Sequence, residues 1–182
     1  MYLWSPRRSQ RGFGGMNRAL VAIVVAALIG LVTAAVPVTA DNDDELEVEF
    51  KISLIGADEV PAVETNSFGM AEVEIKVKNG VTTIKFEVEV CNIEAVAQAH
   101  IHASAPAGVN APPRIFLFGN IADPALRPSF EDCTRLNKAT LTDPTPIGMS
   151  LEALIDAIVS GNAYVNVHTT AHPGGEIRGQ LV

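Results

Sequence analysis

The sequence predicts an all-β fold, an antiparallel sandwich or barrel of about seven short strands. Apolar and charged residues alternate strictly over 46–54, which places one face of that segment in a protein core. The same alternation runs through 71–77 and 84–90. The dipeptide Asn79-Gly80 lies between those two runs and is typical of a type I′ hairpin turn. Short alternating strands separated by turn signals are typical of antiparallel sandwiches and barrels.

Four more strands and one helix complete the predicted order of elements. The strands are expected at 95–103, 114–118, 163–169 and 176–182. A short helix is expected near 150–160, because Ser150 can cap its first turn, apolar residues follow at helical spacing and Gly161 can end it. The segment 119–146 is rich in proline, aspartate and asparagine, so we expect an irregular loop there.

The first 40 residues are predicted to be a secretory signal peptide. An apolar run, Ala19–Val36, follows a basic head, and no acidic residue occurs before Asp41. Small residues at 38–40 provide a cleavage site, so we expect cleavage after Ala40. A retained N-terminal membrane anchor is the alternative, since the apolar run is about as long as the shortest membrane span.

The rest of the chain is predicted to be an exported acidic domain. We expect an acidic linker over 41–46 and one folded domain over 47–182, at an extracellular or cell-surface location. Membrane contact is expected only through the N-terminal segment. The chain has 21 acidic and 13 basic residues, and every acidic residue follows Ala40. This charge excludes nucleic acid as a partner, because phosphate binding needs a basic surface. The expected partner is an unidentified protein or cell-surface component.

The chain has two cysteines, Cys91 and Cys133, and we expect them to form one disulfide. Export places them in a compartment that permits disulfides. An even number without CxxC spacing favours a structural bridge. Two buried free thiols are the alternative. A bridge would attach the predicted 119–146 loop to the sheet.

All four histidines lie in two short segments and predict a metal site. His100 and His102 are two residues apart on a predicted strand, so their rings share one face. Neutral imidazoles in this arrangement suit Cu or Zn. His168 is the candidate third ligand and His172 the candidate fourth. The alternative is a polar core in which the histidines hydrogen-bond to backbone carbonyls and bind nothing.

Three further polar residues near the C-terminus are candidates for a structural or anion-steering role. Glu176 and Arg178 share one face of a predicted strand and could pair with each other or with neighbouring strands. Arg178 could instead steer an anion towards a site beside His168. Asn166 lies on the same predicted face as His168. No nucleophile motif or phosphate-binding loop is present in the sequence, so no catalytic residue is predicted.

Several of these motifs together resemble one known family, the CHRD (chordin) domain. The matching segments are Ala99-His-Ile-His102, the loop over 105–112, Tyr164-Val-Asn-Val-His168 and His172-Pro-Gly-Gly-Glu-Ile-Arg-Gly-Gln180. The resemblance covers about residues 47 to 182. It departs from the family pattern at Ala103 and Ala111, where glycines are usual, and in the long 119–146 segment. The resemblance implies an extracellular antiparallel β module of the kind found in exported microbial proteins.

The family also resembles the Greek-key β-sandwich of copper-zinc superoxide dismutase. That likeness implies that His100 and His102 correspond to a His-x-His pair of copper ligands and His168 to a further copper ligand. The zinc-side loop has no counterpart in this sequence. We therefore expect an exported binding or interaction module able to hold Cu or Zn. The alternatives are a copper-dependent, dismutase-like enzyme and a purely structural envelope protein with a hydrogen-bonded histidine network.

Overall fold

The computed structural model describes residues 45–182. The predicted signal peptide or anchor, the cleavage site and most of the predicted linker lie outside these residues. Within the described part of the chain, no helix is both long and apolar enough to cross a membrane.

Eight strands, one α-helix and two three-residue 3-10 helices make up the regular structure of residues 45–182. The strands are β1 Leu46–Ile55, β2 Phe68–Lys78, β3 Val81–Cys91, β4 Val96–Ala103, β5 Pro113–Gly119, β6 Thr134–Thr142, β7 Ala163–Thr169 and β8 Ile177–Gln180, and helix α1 is Leu151–Val159. Ser150 caps α1, since its hydroxyl accepts a hydrogen bond from the Ala153 amide at 3.1 Å. The expected helix is therefore confirmed, with the expected cap.

The strands form one antiparallel sheet in the order β5-β4-β7-β8-β1-β2-β3-β6. The sheet curls into a nearly closed barrel, because its two end strands, β5 and β6, come close together. The Asn137 side-chain amide on β6 donates a hydrogen bond to the Leu117 carbonyl on β5 across this gap. The all-β antiparallel prediction is confirmed. The strands are joined in one continuous sheet, so the molecule is nearer to the barrel than to a sandwich of two separate sheets.

The alternation seen in the sequence decides which face of each strand lies inside. The barrel interior is filled by branched apolar side chains from every strand and from α1, among them Leu54, Ile75, Ile84, Ile101 and Ile158, each at most 1% exposed. The predicted hairpin turn between β2 and β3 is present. Asn79 and Gly80 have φ values of 51° and 77°, as a type I′ turn requires.

The prediction of an irregular loop over 119–146 is wrong in part, since β6 lies within it. β6 pairs with β3, and a bulge between Val88 and Glu89 shifts the register of that pairing. The bulge interrupts the alternation, and most residues of β6 are small or polar and partly exposed. An edge strand of this kind has little apolar periodicity, so its sequence resembles a loop.

The predicted disulfide is present between Cys91 and Cys133. It joins the end of β3 to the residue before β6, and no described cysteine is free. Beside it, Ile93 and Phe130 form an isolated antiparallel bridge. The disulfide and this bridge together attach the segment before β6 to the sheet.

Candidate metal centre

A layer of buried polar side chains covers the outer face of β4, β7 and β8. Odd-numbered residues of these strands, such as Ile101, Val165 and Ile177, face the core. The even-numbered residues therefore face outwards, yet they are also buried. We define the polar layer as those from His100 onwards, together with Glu176, which directly precedes β8: His100, His102, Tyr164, Asn166, His168, Glu176, Arg178 and, half-buried, Gln180. Contacts from loops over 56–67, 104–112 and 170–175 cover the layer.

Three of the four histidines lie together in this layer. His100, His102 and His168 each offer one ring nitrogen, and these nitrogens lie within 4.8 Å of one another. The side chains are only 2%, 6% and 6% exposed. Antiparallel pairing of β4 with β7 brings them together, since Gln98 is opposite His168 and His100 is opposite Asn166. His172 is not a member of this group; it lies half-buried in the 170–175 turn.

Backbone carbonyls fix the proton positions on two of the rings. Nδ1 of His102 lies 2.7 Å from the Ala111 carbonyl oxygen, and Nδ1 of His168 lies 2.9 Å from that of Pro173. A carbonyl oxygen can only accept, so each Nδ1 carries hydrogen and each Nε2 of the neutral rings carries a lone pair. Ligand histidines usually have this arrangement, with the second nitrogen donating to a carbonyl or carboxylate.

The third ring is linked to the second by a direct hydrogen bond. Nδ1 of His100 lies 3.1 Å from Nε2 of His168. Because that Nε2 carries no hydrogen, Nδ1 of His100 must donate, and Nε2 of His100 also carries a lone pair. All three Nε2 atoms are therefore acceptors, and within the described residues those of His100 and His102 are buried without a hydrogen-bond partner.

Burial keeps the three imidazoles neutral. Desolvation, followed by repulsion from His168 and His102, lowers the pKa of His100 to about 3. Desolvation also lowers the pKa of His102 to about 4, against an opposing hydrogen bond to Ala111. The pKa of His168 is lowered for the same main reason. Neutral rings present lone pairs that no proton blocks at physiological pH.

Aromatic neighbours hold two of the rings in place. The His102 ring is stacked on the Tyr164 ring, with centroids 4.7 Å apart and planes 8° apart. The Tyr164 hydroxyl donates to the Ala111 carbonyl at 3.2 Å and accepts from the Ala111 amide at 3.1 Å. Tyr164 thus positions the carbonyl that fixes the His102 tautomer. Phe116 packs edge-on against His100, with centroids 4.4 Å apart.

Arg178 is held within the layer and does not pair with Glu176. Its Cζ atom lies 3.4 Å from the centroid of the Tyr164 ring, a cation–π contact. Its two terminal nitrogens donate to the Val109 carbonyl at 2.9 Å and to the Asn110 side chain at 3.2 Å. With 1% exposure, the guanidinium fastens the 104–112 loop to β8 and is not open to solvent.

Glu176 is bound by three hydroxyl groups. Its carboxylate accepts hydrogen bonds from Thr65 at 2.8 Å, Ser67 at 2.6 Å and Thr169 at 2.6 Å. Burial alone would raise the pKa of Glu176. The three hydroxyls and the charge of His172 together outweigh burial and lower it. Glu176 thus ties the 56–67 loop to the end of β7.

Glu59 is the member of this region that sequence reasoning missed. Its carboxylate, 6% exposed, accepts a hydrogen bond from the Asn166 amide at 2.7 Å. Burial raises the pKa of Glu59 to about 7, although the Arg178 charge opposes this. Glu59 lies in a loop between predicted strands, and the only signal was that Glu59-Val60-Pro61 resembles the opening segment of the CHRD domain. Long-range packing, which a single sequence does not reveal, brings it to β7.

Comparison with known proteins identifies one family. The CHRD domain model matches residues 50–181, from within β1 to the residue after β8. The matched range contains the whole polar layer and both cysteines. No curated protein and no solved structure matches the chain. Because the match spans more than half of the sequence, the chain belongs to the CHRD domain family.

Proposed function

We propose that the protein is an exported CHRD-domain interaction module that binds one Cu or Zn ion through His100, His102 and His168. The observation that carries this proposal is that one ring nitrogen from each of these three buried, neutral histidines lies within 4.8 Å of the other two. Each has its Nε2 lone pair available or shared only with another of the three, and two carbonyls hold the tautomers. The predicted N-terminal signal, the disulfide and the excess of acidic residues support a protein or cell-surface partner outside the cell.

Three imidazole nitrogens suit a divalent metal ion of intermediate softness. Zn²⁺ and Cu²⁺ take imidazole nitrogen at about 2.0–2.1 Å, which sets tetrahedral donors about 3.4 Å apart. The three nitrogens, within 4.8 Å, need only small ring rotations to reach that spacing. An ion would compete with His100 for the His168 Nε2 lone pair, so its binding replaces one hydrogen bond inside the cluster.

The second candidate function is purely structural. The His100–His168 hydrogen bond at 3.1 Å and the two carbonyl contacts favour it, since together they form a connected network without an ion. The unpartnered Nε2 atoms of His100 and His102 oppose it, because buried polar atoms are normally hydrogen-bonded. The dismutase-like alternative needs a cation free to guide an anion, and Arg178 already donates to Val109 and Asn110.

The finer topology that we propose is a Greek-key barrel resembling that of copper-zinc superoxide dismutase. β4, β5 and β6 follow one another along the chain, and β7 returns to lie beside β4. With β5 and β6 counted as neighbours across the barrel gap, this is a Greek-key order. The likeness supports the choice of copper as the first ion to test.

Metal titration of purified protein tests the proposal. We expect the wild-type protein to bind about one equivalent of Cu²⁺ or Zn²⁺ in isothermal titration calorimetry, because three neutral imidazoles converge at one place. His100→Ala and His168→Ala should each abolish stoichiometric binding. His172→Ala is the matched control and should bind like the wild type, since His172 lies outside the group.

Circular dichroism of each variant shows whether the fold is intact, and elemental analysis of protein from its native envelope identifies the resident ion. A wild-type protein that binds no ion, or a His100→Ala variant that binds as tightly, leaves the structural network as the better account.

A further inference from the structure

Three buried side-chain atoms in the described residues lack a hydrogen-bond partner, and all three belong to the polar layer. They are Nε2 of His100, Nε2 of His102 and Oδ1 of Asn166. His100 and Asn166 are directly opposite each other in the β4–β7 pairing. His102 is two residues from His100 on the same face. The three unpartnered atoms therefore lie on neighbouring positions of one surface, all of them able to donate a lone pair.

A hydrogen bond to Glu59 fixes the orientation of the Asn166 side-chain amide. Its Nδ2 donates to Glu59 Oε1 at 2.7 Å, and a flipped amide would place two oxygens against each other. Glu59 also lies near Gly175, where an added Cβ would come within 2.6 Å of Glu59 Oε1 and collide with Asn166 Nδ2. Glu59 interacts electrostatically with Arg178 as well.

These contacts place Glu59 on the β8 side of Asn166. Asn166 pairs with Arg178 on β8 and with His100 on β4. Since Nδ2 is directed to the β8 side, Oδ1 is directed towards β4, where the histidines lie. The histidines supply nitrogen donors from three residues, and four-coordinate ions of this class need one more ligand.

We propose that the Asn166 side-chain oxygen is the fourth ligand of the ion held by His100, His102 and His168, and that Glu59 is the positioning residue that directs it. This inference rests on the proposed metal-binding function. The resulting ligand set, three imidazole nitrogens and one amide oxygen, carries no charge and includes one hard oxygen ligand. It selects divalent Cu²⁺ or Zn²⁺ over Cu⁺, which prefers sulfur ligands. Glu59 lies behind this ligand shell and acts on it through its hydrogen bond with Asn166.

A pair of substitutions that exchanges the two functional groups tests the proposal. In Asn166→Ala of the full-length protein, we expect Cu²⁺ affinity to fall about 10- to 100-fold. The double variant Glu59→Gln/Asn166→Asp keeps the total charge and reverses the hydrogen bond, with glutamine donating and aspartate accepting. The second aspartate oxygen remains for the ion, so affinity should return to within about threefold of the wild type. Electron paramagnetic resonance of the Cu²⁺ form should change in Asn166→Ala and recover in the double variant.

Gln180→Ala is the matched control, because Gln180 is another amide of the polar layer whose Nε2 donates to backbone carbonyls of Ala105 and Gly161. It should lose stability without changing the Cu²⁺ spectrum. Wild-type affinity and spectrum in Asn166→Ala, or an equal loss of affinity in Gln180→Ala, would overturn the proposed role of Asn166 while leaving the histidine site intact. Absence of binding by the wild type would instead refute the underlying metal function.

Discussion

Glu176 shows how a buried charge is stabilised in the polar layer. Three hydroxyl groups donate to its carboxylate, and they come from Thr65, Ser67 and Thr169. Because these bonds favour the ionised form, the folded protein holds the pKa of Glu176 below its ordinary value. Its contribution to stability is therefore present above the ordinary pKa of about 4.3 and is lost as the pH falls through the lower, folded value.

Substitution of this carboxylate by an amide tests that account. We expect Glu176→Gln to lower the free energy of unfolding by about 2 kcal/mol at pH 7, because an amide nitrogen cannot accept from the hydroxyls. The difference from the wild type should shrink as the pH falls below about 4. Denaturant unfolding at several pH values measures both effects. Glu64→Gln, an exposed residue of the same loop, should change stability by less than about 0.5 kcal/mol. A difference that stays constant with pH would contradict the prediction.

Strand β8 joins β7, which carries part of the polar layer, to β1. Gly179 permits the close contact between β8 and β1. β8 pairs with β1 at Ile55 and Arg178. A Cβ atom at Gly179 would collide with the Ser53 carbonyl oxygen of β1 and come within 3.1 Å of Leu54. The backbone cannot retreat easily, since β8 is also paired with β7 over four residues. Glycine is required at this position for close approach of two strands.

Alanine at this position should therefore separate β1 from β8. We expect Gly179→Ala to destabilise the protein by about 3 kcal/mol or to prevent folding, as overpacking against backbone does. Gly174→Ala is the matched control: no atom lies within 4 Å of an added Cβ there, and it should be nearly neutral. Thermal unfolding followed by circular dichroism measures both. Equal stability of the two variants would show that β1 and β8 can adjust.

Elements with a strict alternation were predictable from sequence, and elements defined by contacts were not. β1, β2 and β3 follow from period-two patterns, and α1 follows from Ser150 and the apolar spacing after it. β6 was missed because an edge strand with a bulge presents no regular apolar face. The histidines could be recognised as candidate metal ligands because two residues separated by one position on a strand face the same side of the sheet. The Glu59–Asn166 contact joins residues far apart in the chain, so local pattern carries no information about it.

The two outer faces of the barrel differ in what they can do. The β1–β2–β3–β6 face carries exposed or half-buried ion pairs such as Lys85–Glu74 and Lys51–Glu72. Pairs of this kind contribute little to stability. The β4–β7–β8 face is instead buried under three loops and holds polar groups that cost energy to bury. Such a cost is consistent with a site retained for binding.

The Cys91–Cys133 disulfide ties these parts into one unit. It closes a sequence separation of 42 residues that includes β4, β5 and the segment before β6. Closing a loop of that length lowers the conformational entropy of the unfolded chain, which stabilises the folded state by about 4 kcal/mol. That is a large fraction of the total stability of a domain of this size, about 5–15 kcal/mol.

Loss of the bridge should therefore be measurable in the whole molecule. We expect Cys91→Ser/Cys133→Ser to lower the free energy of unfolding by about 3–4 kcal/mol, chiefly because the unfolded chain gains freedom. Denaturant unfolding with and without a thiol reductant measures the effect. The reductant should destabilise the wild type by a similar amount and leave the double variant unchanged. A reductant effect of the same size on both proteins would mean that the agent acts elsewhere. Loss of stability well below the expected value would mean that Ile93, Phe130 and the β3–β6 pairing already hold the segment in place.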